Sequence, residues 1–384
     1  MAAADQPELT ELVLRAAGGV EKMSTEFDAD LLLSTLLGSV YGAANGPDRW
    51  GAVEDFMGTF DAFLRTKRSS RARAVRTVLD RLRHPTSLRV TGAYACGDRY
   101  GDQTSYVATF AYEDSESGGP EHAVVLLVDH NLGRVKDIMV VAPADVVLAA
   151  LREQVATDPE ALAWFAEVEP ATVGAAALAY LSLTDAAAEP PVEESLRANR
   201  VIAQARCGLL GVTAATGSSD GGVDRAALIE EFLDSPEAVM AELSAVSGAR
   251  RESLTYCLGL FLDFATARGD ALRWSPRSVE LFLLDWVHEH AVLDADDVAM
   301  VPAALGPWVF WAGRRADLPS APLQRTFAAV GRMRPEFERL CATGERQSPA
   351  ARAMAQLLAD GVDLADTAAV EAWLKTYQGE PPNA

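Results

Sequence analysis

The chain has 384 residues, of which 49% are hydrophobic and 23% are charged. These proportions are typical of a folded globular protein and exclude a fibrous or largely disordered chain. The length exceeds what one hydrophobic core usually supports, so we expect two domains. The formal net charge of -21 disfavours nucleic acid and anionic membrane surfaces as main partners, because like charges repel.

The cysteines are spread along the chain as Cys96, Cys207, Cys257 and Cys341, with no closely spaced pair. This spacing is typical of free thiols in a reducing compartment rather than of a disulfide framework. The first residues lack the basic start and apolar core of a signal peptide, and no apolar run reaches the roughly 18 residues of a membrane span. We therefore expect a cytoplasmic protein with no membrane partner.

Apolar residues recur at helical spacing in residues 8–17, 31–40 and 50–64, so the chain begins with predicted helices. After Pro85 the period changes to two, which predicts strands over residues 88–94, 106–112, 123–128 and 135–141. Asn131 and Gly133 provide the turn before the last strand. The four strands predict an antiparallel meander, in which the continuously apolar third strand is covered on both faces.

No stretch after Pro143 is predicted as a strand, and the segment that begins at Asp158 and contains Trp164 and Phe165 is predicted as a helix. Residues 186–194 are rich in proline and acid, and residues 216–223 in glycine, serine and aspartate, as linkers are. The sequence thus predicts an α+β domain over residues 1–185, a linker-like region with one helix over 186–223, and an all-α domain over 224–384.

The only literal catalytic motif is Gly217-Ser218-Ser219-Asp220-Gly221, which matches the G-x-S-x-G expression of a nucleophile elbow. An elbow needs a strand before the serine and a helix after it. Here a predicted helix and a linker composition surround the motif. We interpret it as a solvated linker and assign no catalytic residue.

His288-Glu289-His290 looks like a metal-binding cluster, but residues two apart on a helix point away from each other. Paired helical ligands stand three or four residues apart. We therefore assign no metal and no cofactor. His290 instead ends an apolar stripe that is predicted to face a core and that consists of Val279, Phe282, Leu283, Trp286, Val287 and His290.

Asp129 and His130 end the third strand and form a candidate polar site. His122 lies eight residues earlier on the same strand, roughly 26 Å away at about 3.3 Å per residue, so it cannot share a metal ion with His130. Asp137 is expected out of register with Asp129 across the hairpin. A structural turn is therefore the main interpretation of Asp129 and His130, and a polar binding site is the alternative.

Residues 65–83 are the one strongly basic segment of this acidic chain, with Asp80 as their only acidic residue. The segment could contact an acidic protein surface in the same chain or another, remain a solvated helix, or bind phosphate. No aromatic residues are interleaved with the basic ones, which makes nucleic acid the weakest alternative. The candidate protein-interaction residues are Arg65, Lys67, Arg68, Arg71, Arg73 and Arg76.

Aromatic residues concentrate in the C-terminal helices, where they could form a core or an exposed partner surface. The sequence leaves both alternatives open. These residues are Trp274, Trp286, Trp308, Trp311, Phe282, Phe310 and Phe327.

Two stretches carry a resemblance: EHAVVLLVDHNLG at residues 121–133 with Lys136-Asp137, and LRWSP at 272–276 through FLLDW at 282–286 to residues 308–315. They resemble segments of an uncharacterised family of actinobacterial proteins. The resemblance covers most of the chain and implies an origin, but it implies no activity and no site residues.

The sequence therefore predicts a non-enzymatic protein-binding or adaptor protein, whose partner is another protein or a second copy of itself. One alternative is an acidic chaperone that shields an apolar client. The other is a small-molecule-binding protein or enzyme that uses the hairpin end around Asp129 and His130.

Overall fold

The computed structural model describes residues 6–44, 46–189, 193–211, 224–363 and 366–377. The chain divides into two compact units, Met1–Ser219 and Asp220–Ala384, which we call unit 1 and unit 2. Unit 1 combines helices with an antiparallel sheet, and unit 2 is helical throughout its described residues. The predicted α+β fold class is confirmed.

Unit 1 begins with four helices, α1 (Gln6–Val20), α2 (Glu26–Ala43), α3 (Arg49–Thr66) and α4 (Ser70–Arg83). The last three begin at Thr25, Asp48 and Ser69, whose side-chain oxygens accept a hydrogen bond from a backbone N–H of the first turn. Such caps satisfy amide groups that have no partner inside the helix. The helices therefore start where the sequence supplies these polar residues.

The sheet contains the predicted meander of β1 (Leu88–Asp98), β2 (Gln103–Tyr112), β3 (His122–Asp129) and β4 (Arg134–Val141), and a fifth strand, β5 (Ala163–Glu167). Its order is β4-β3-β2-β1-β5, and all neighbours are antiparallel. A short helix, α5 (Ser115–Gly118), separates β2 from β3. The prediction of four strands was therefore one strand short.

β5 corrects the predicted helix around Trp164 and Phe165. Phe165 pairs with Cys96 of β1, and the Asp158 carboxylate accepts hydrogen bonds from the backbone N–H groups of Leu162 and Ala163 just before the strand. Five residues are too few to show a period of two clearly. Pairing with the distant β1 decides the conformation of this segment.

The two faces of the sheet are covered by different helices. Val124 and Leu126 of β3 lie in the main core of unit 1, whereas Val125 of the same strand packs with Leu148 of α6 (Ala144–Thr157) on the other face. Because Val124 and Val125 are both at most 1% exposed, the prediction that the third strand is covered on both faces is confirmed.

Two further helices, α7 (Pro170–Ala186) and α8 (Glu194–Cys207), complete unit 1. α8 is the one helix predicted within the linker-like region, and its residues Leu196, Val201 and Ile202 are buried in the main core. Ser34 of α2 donates to the Ala198 carbonyl at 2.8 Å. The helix is thus a packed element of unit 1. The rest of that region, residues 190–192 and 212–223 with the G-x-S-x-G motif, lies outside the described residues.

Unit 2 packs its helices around an aromatic core in which Phe261, Phe282 and Trp308 are fully buried and Trp274 is 2% exposed. Most of the clustered aromatic residues therefore belong to the core, whereas Phe327 is 48% exposed. The helices are α9 (Arg225–Leu233), α10 (Pro236–Met240), α11 (Ala249–Thr266), α12 (Pro276–Leu281), α13 (Val287–His290), α14 (Ala295–Arg315), α15 (Ser320–Thr343), α16 (Pro349–Ala359) and α17 (Thr367–Thr376).

A π-helical turn over Phe282–Trp286 joins α12 to α13. Val279, Phe282, Leu283 and Val287 of the predicted stripe are buried and Trp286 is half-buried, but His290 is exposed and His288 is 4% exposed instead. A π turn adds a residue to the helix and so rotates everything after it. His290 nevertheless stacks on Trp286, which packs against the core, with 4.6 Å between the ring centroids. His288 donates from Nε2 to the Leu283 carbonyl at 2.9 Å.

Candidate binding cleft in unit 1

The structure places Asp129 and His130 in a hydrogen-bonded turn. Asp129 Oδ1 accepts from the backbone N–H groups of Asn131 and Leu132 at 2.9 and 3.1 Å. The two ring nitrogens of His130 lie 2.9 Å from the hydroxyl oxygens of Tyr180 and Thr104. These groups hold the hairpin end together, and neither residue lines the cleft described below.

Within the described ranges, no three His, Cys, Asp or Glu side chains lie close enough to hold a metal ion. His122 and His130 lie at opposite ends of β3, where they pair with Phe110 and with the start of β2 respectively. Asp137 is paired with Leu127 rather than with Asp129. The hairpin residues considered for a shared site are therefore not brought together.

A buried polar cluster around Asp30 was missed by the sequence analysis. Asp30 Oδ2 accepts from Arg206 Nη2 at 2.9 Å and from the Tyr112 hydroxyl at 2.7 Å, while Arg81 donates to Oδ1. Arg206 Nε also donates to His122 Nε2 at 3.2 Å. Arg206 was the available signal, because it is the only charged residue of the stretch 201–211 and arginine is almost never fully buried unless paired.

This environment shifts two pKa values. Burial, reinforced by the Arg206 guanidinium, lowers the pKa of His122 to about 3. Burial also raises the pKa of Tyr112 well above its usual value, and the Asp30 carboxylate adds to that increase. His122 is therefore neutral at physiological pH. Because arginine can only donate, Nε2 is the acceptor and Nδ1 carries the ring proton.

A second buried cluster lies around Asp185, at the end of α7. Arg200 of α8 donates to Asp185 through Nη2 at 2.6 Å and Nε at 3.2 Å, and the Tyr41 hydroxyl donates to Asp185 Oδ1 at 2.7 Å. The Arg200 guanidinium carbon lies 4.1 Å from the ring centroid of Trp50. Its Nη1 donates to Gln204 Oε1 at 2.8 Å. The cluster thus reaches the surface at Trp50 and Gln204.

Trp50 and Gln204 line an open cleft of about 710 Å³, which we call the α3–α4–α8 cleft. Its buried apolar floor consists of Met57, Leu82, Val201 and Ala205. The remaining lining residues, several of them polar or charged, are Trp50, Glu54, Arg83, His84, Pro85, Thr86, Gln204, Gly208 and Leu209.

Arg83 connects the cleft to an arginine cluster. Its Nη1 lies 3.9 Å from Asp61 Oδ2, and the same carboxylate lies 2.9 Å from Arg65 Nε and 3.7 Å from Arg76 Nε. The three arginine side chains are 39% to 60% exposed, whereas that of Asp61 is 15% exposed. One carboxylate cannot neutralise three guanidinium groups, so positive charge remains beside the cleft.

The other candidate protein-interaction residues either contact a partner within unit 1 or are exposed without an ion pair. Arg71 pairs with Glu21 at 3.1 Å, and Lys67 Nζ lies 4.5 Å from the ring centroid of Phe63. Arg68 and Arg73 are exposed and make no ion pair within the described part of the chain. Part of the positive charge of the basic segment is therefore paired within unit 1, and the rest is exposed on the surface.

The lining of the cleft is chemically mixed. Its lining combines an apolar floor, an aromatic ring, an amide and charged groups of both signs, as binding sites commonly do. No described hydrogen bond joins Glu54 or His84 to a hydroxyl or thiol nucleophile across the cleft. Among the described residues of the lining, the hydrogen bonds thus show no assembled nucleophile and base.

No protein-family model matches the chain, and searches of curated proteins and of solved structures find no match either. The resemblance to actinobacterial proteins stays a prediction.

One property of the described helices bears on partners: none is long and apolar enough to cross a bilayer.

Proposed function

We propose that this chain is a non-enzymatic protein-binding or adaptor protein, and that its α3–α4–α8 cleft takes an acidic, amphipathic segment of another protein. The observation that carries the proposal is the position of Arg83, which lines the cleft and shares Asp61 with Arg65 and Arg76. An apolar floor thus adjoins a surface with surplus positive charge.

The apolar floor favours a segment with one apolar face. Met57, Leu82, Val201 and Ala205 supply side chains from three helices along one cleft. An amphipathic helix that lays its apolar face into such a groove is a recurring mode of peptide recognition. Its polar face would then meet the charged residues at the rim.

The charge of the rim favours an acidic segment over a basic one. The chain as a whole has a formal net charge of -21, so most of its surface repels an acidic partner. The arginine cluster beside the cleft is an exception, and a potential of opposite sign steers a charged partner towards it. Binding should therefore weaken as the salt concentration rises.

We place this activity in the cytoplasm, because the four cysteines are free thiols and Cys96, Cys207 and Cys257 among them are buried. Unoxidised thiols suit a reducing compartment.

An acidic chaperone is the second candidate function. It is favoured by two consecutive apolar residues of α10, Val239 and Met240, which are 58% and 86% exposed.

The test is a selection of displayed random peptides of about 16 residues, long enough to form a helix, against the full chain. In the Gly208→Trp variant the new side chain enters the cleft, and a Cβ at Gly208 meets no atom within 4 Å. Gly18→Trp is the matched control, because Gly18 is equally unobstructed and lies on α1, outside the cleft.

We expect the unmodified chain and Gly18→Trp to enrich peptides that combine leucine or phenylalanine at helical spacing with aspartate and glutamate. Gly208→Trp should not enrich them. Enrichment of basic peptides, or equal enrichment by Gly208→Trp, would show that the cleft does not bind an acidic segment.

A further inference from the structure

We propose that Gln204 determines the specificity of the α3–α4–α8 cleft by donating a hydrogen bond from its side-chain amide to a carboxylate of the bound segment. The inference rests on the proposed function and names the contact by which the cleft recognises its partner. It follows from the orientation that unit 1 imposes on this one amide.

The hydrogen bond from Arg200 fixes the orientation of the Gln204 amide. Arg200 Nη1 lies 2.8 Å from Gln204 Oε1. A guanidinium has donors only, so the group that faces Arg200 must be the amide oxygen. The NH₂ group then points away from Arg200. Gln204 is half-buried and lines the cleft, and no described hydrogen bond engages its Nε2 atom.

Arg200 is itself held from several sides. Its side chain is 2% exposed and pairs with Asp185, which also accepts from Tyr41. Trp50 covers the guanidinium at 4.1 Å. The arginine therefore cannot turn away without leaving a buried carboxylate unpaired, which is strongly unfavourable. Gln204 is thus oriented before any ligand arrives, and an oriented side chain loses little entropy on binding.

The free NH₂ group selects an acceptor. A carboxylate is the strongest acceptor that a protein segment offers, and hydrogen bonds to charged groups are the stronger ones. Arg83, on the same cleft, attracts the same charge. Glu54 is the only carboxylate of the lining and repels an acidic group near its own position. We therefore place the acidic residue of the segment on the side of Gln204 and Arg83.

The test is a double-mutant cycle on the full chain, measured by fluorescence anisotropy with a labelled acidic peptide from the selection above. Each acidic residue of the peptide is changed in turn to its amide. Gln204→Glu keeps an acceptor for Arg200 but removes both amide donors, and Gln204→Met is a second variant without charge. Gln154→Glu, on the exposed surface of α6, is the matched control for added negative charge.

For one position of the peptide, we expect the change to the amide to weaken binding to the unmodified chain about tenfold, as loss of a charged hydrogen bond does. The same change in the peptide should alter its dissociation constant by less than about twofold with Gln204→Glu or Gln204→Met. With Gln154→Glu it should weaken binding as much as with the unmodified chain. Urea midpoints of all variants verify folding.

The measurements distinguish failure of the Gln204 inference from failure of the proposed function. If acidic peptides bind in the cleft but every acidic position behaves alike with and without Gln204, then Gln204 is not the specificity residue and the proposed function stands. The same holds if Gln204 couples only to a backbone carbonyl. If no acidic peptide is enriched at all, the proposed function is wrong and the inference falls with it.

Discussion

The carboxylate of Asp30 accepts a hydrogen bond from Arg206 Nη2 at 2.9 Å, although the two residues are 176 positions apart in the chain. Both side chains are fully buried. Arg81 Nη2 donates to the other carboxylate oxygen, Oδ1, at 2.7 Å. Two guanidinium groups therefore share the Asp30 carboxylate, and α2, α4 and α8 are joined at this point.

Replacing Asp30 with asparagine should destabilise unit 1 by about 3–5 kcal/mol, because the variant leaves a buried guanidinium without its counter-charge. Hydrogen-exchange mass spectrometry in urea, read from peptides of α2, measures this change on the full chain. The control is Glu338→Gln, which removes an exposed pair with Arg334 and should cost less than about 1 kcal/mol. An equally small effect at Asp30 would show that the buried pair contributes little.

Unit 1 should lose stability on mild acidification because of His122. Its pKa in the folded chain is about 3, below the ordinary value of 6.5. Between these two values the unfolded chain binds a proton that the folded chain does not, so the free energy of unfolding falls as the pH falls. From pH 7.5 to pH 5 we expect a loss of about 2 kcal/mol from this residue, most of it below pH 6.5.

The measurement is the urea midpoint of β3 peptides between pH 5 and 7.5. His122→Gln retains an acceptor for Arg206 and should flatten the pH dependence, even if the variant is less stable throughout. His84→Gln, a change at an exposed histidine of unit 1, is the matched control variant. Identical pH profiles for His122→Gln and the unmodified chain would exclude His122 as the cause.

Of the glycines of α2, Gly38 lies closest to the backbone of α8. A Cβ atom there would lie 2.4 Å from the Arg197 carbonyl oxygen and 2.9 Å from the Ala198 Cα atom. Because the obstructing atoms belong to the backbone, Gly38→Ala should cost about 1–3 kcal/mol or more. Gly58→Ala, where nothing lies within 4 Å, should instead stabilise α3 by about 0.5–1 kcal/mol. Thermal unfolding of the two variants provides the comparison.

The basic segment should contact protein rather than nucleic acid. Changing Arg71, Arg73 and Arg76 together to glutamate removes ion pairs with Glu21 and Asp61, each contributing about 0.2–1 kcal/mol. We expect a modest drop in melting temperature and weaker binding of acidic peptides. Sub-micromolar binding of DNA or RNA by the unmodified chain at physiological salt, lost in this variant, would show that the partner is nucleic acid.

Local patterns predicted the parts of this fold that local interactions decide. The meander follows from a period of two in β1 to β4, and the helices of unit 2 follow from apolar spacing. β5 could not be predicted, since its five residues become a strand only by pairing with β1. The exposure of His290 depends on a π turn that no spacing rule shows.

The candidate site was predictable only in part. Arg65 and Arg76 were selected as basic residues, but their common carboxylate Asp61 lies outside the basic segment, on α3 with Arg65 and on a different helix from Arg76. The cleft itself needs α3, α4 and α8, and the sequence predicted α8 only as a helix within a linker-like region, not as a wall of a cleft. Contacts between residues far apart in the chain create the site, and such contacts leave no local pattern.

The late position of α8 has a consequence for synthesis of the protein. A ribosome releases residues 6–189 of unit 1 before it releases α8, and during that interval Asp30 lacks Arg206 and the apolar face of α2 lacks Leu196 and Ile202. Domains generally fold as units as they emerge. Unit 1 therefore cannot complete its core until Cys207 has left the exit tunnel, and nascent chains halted before α8 should remain sensitive to protease.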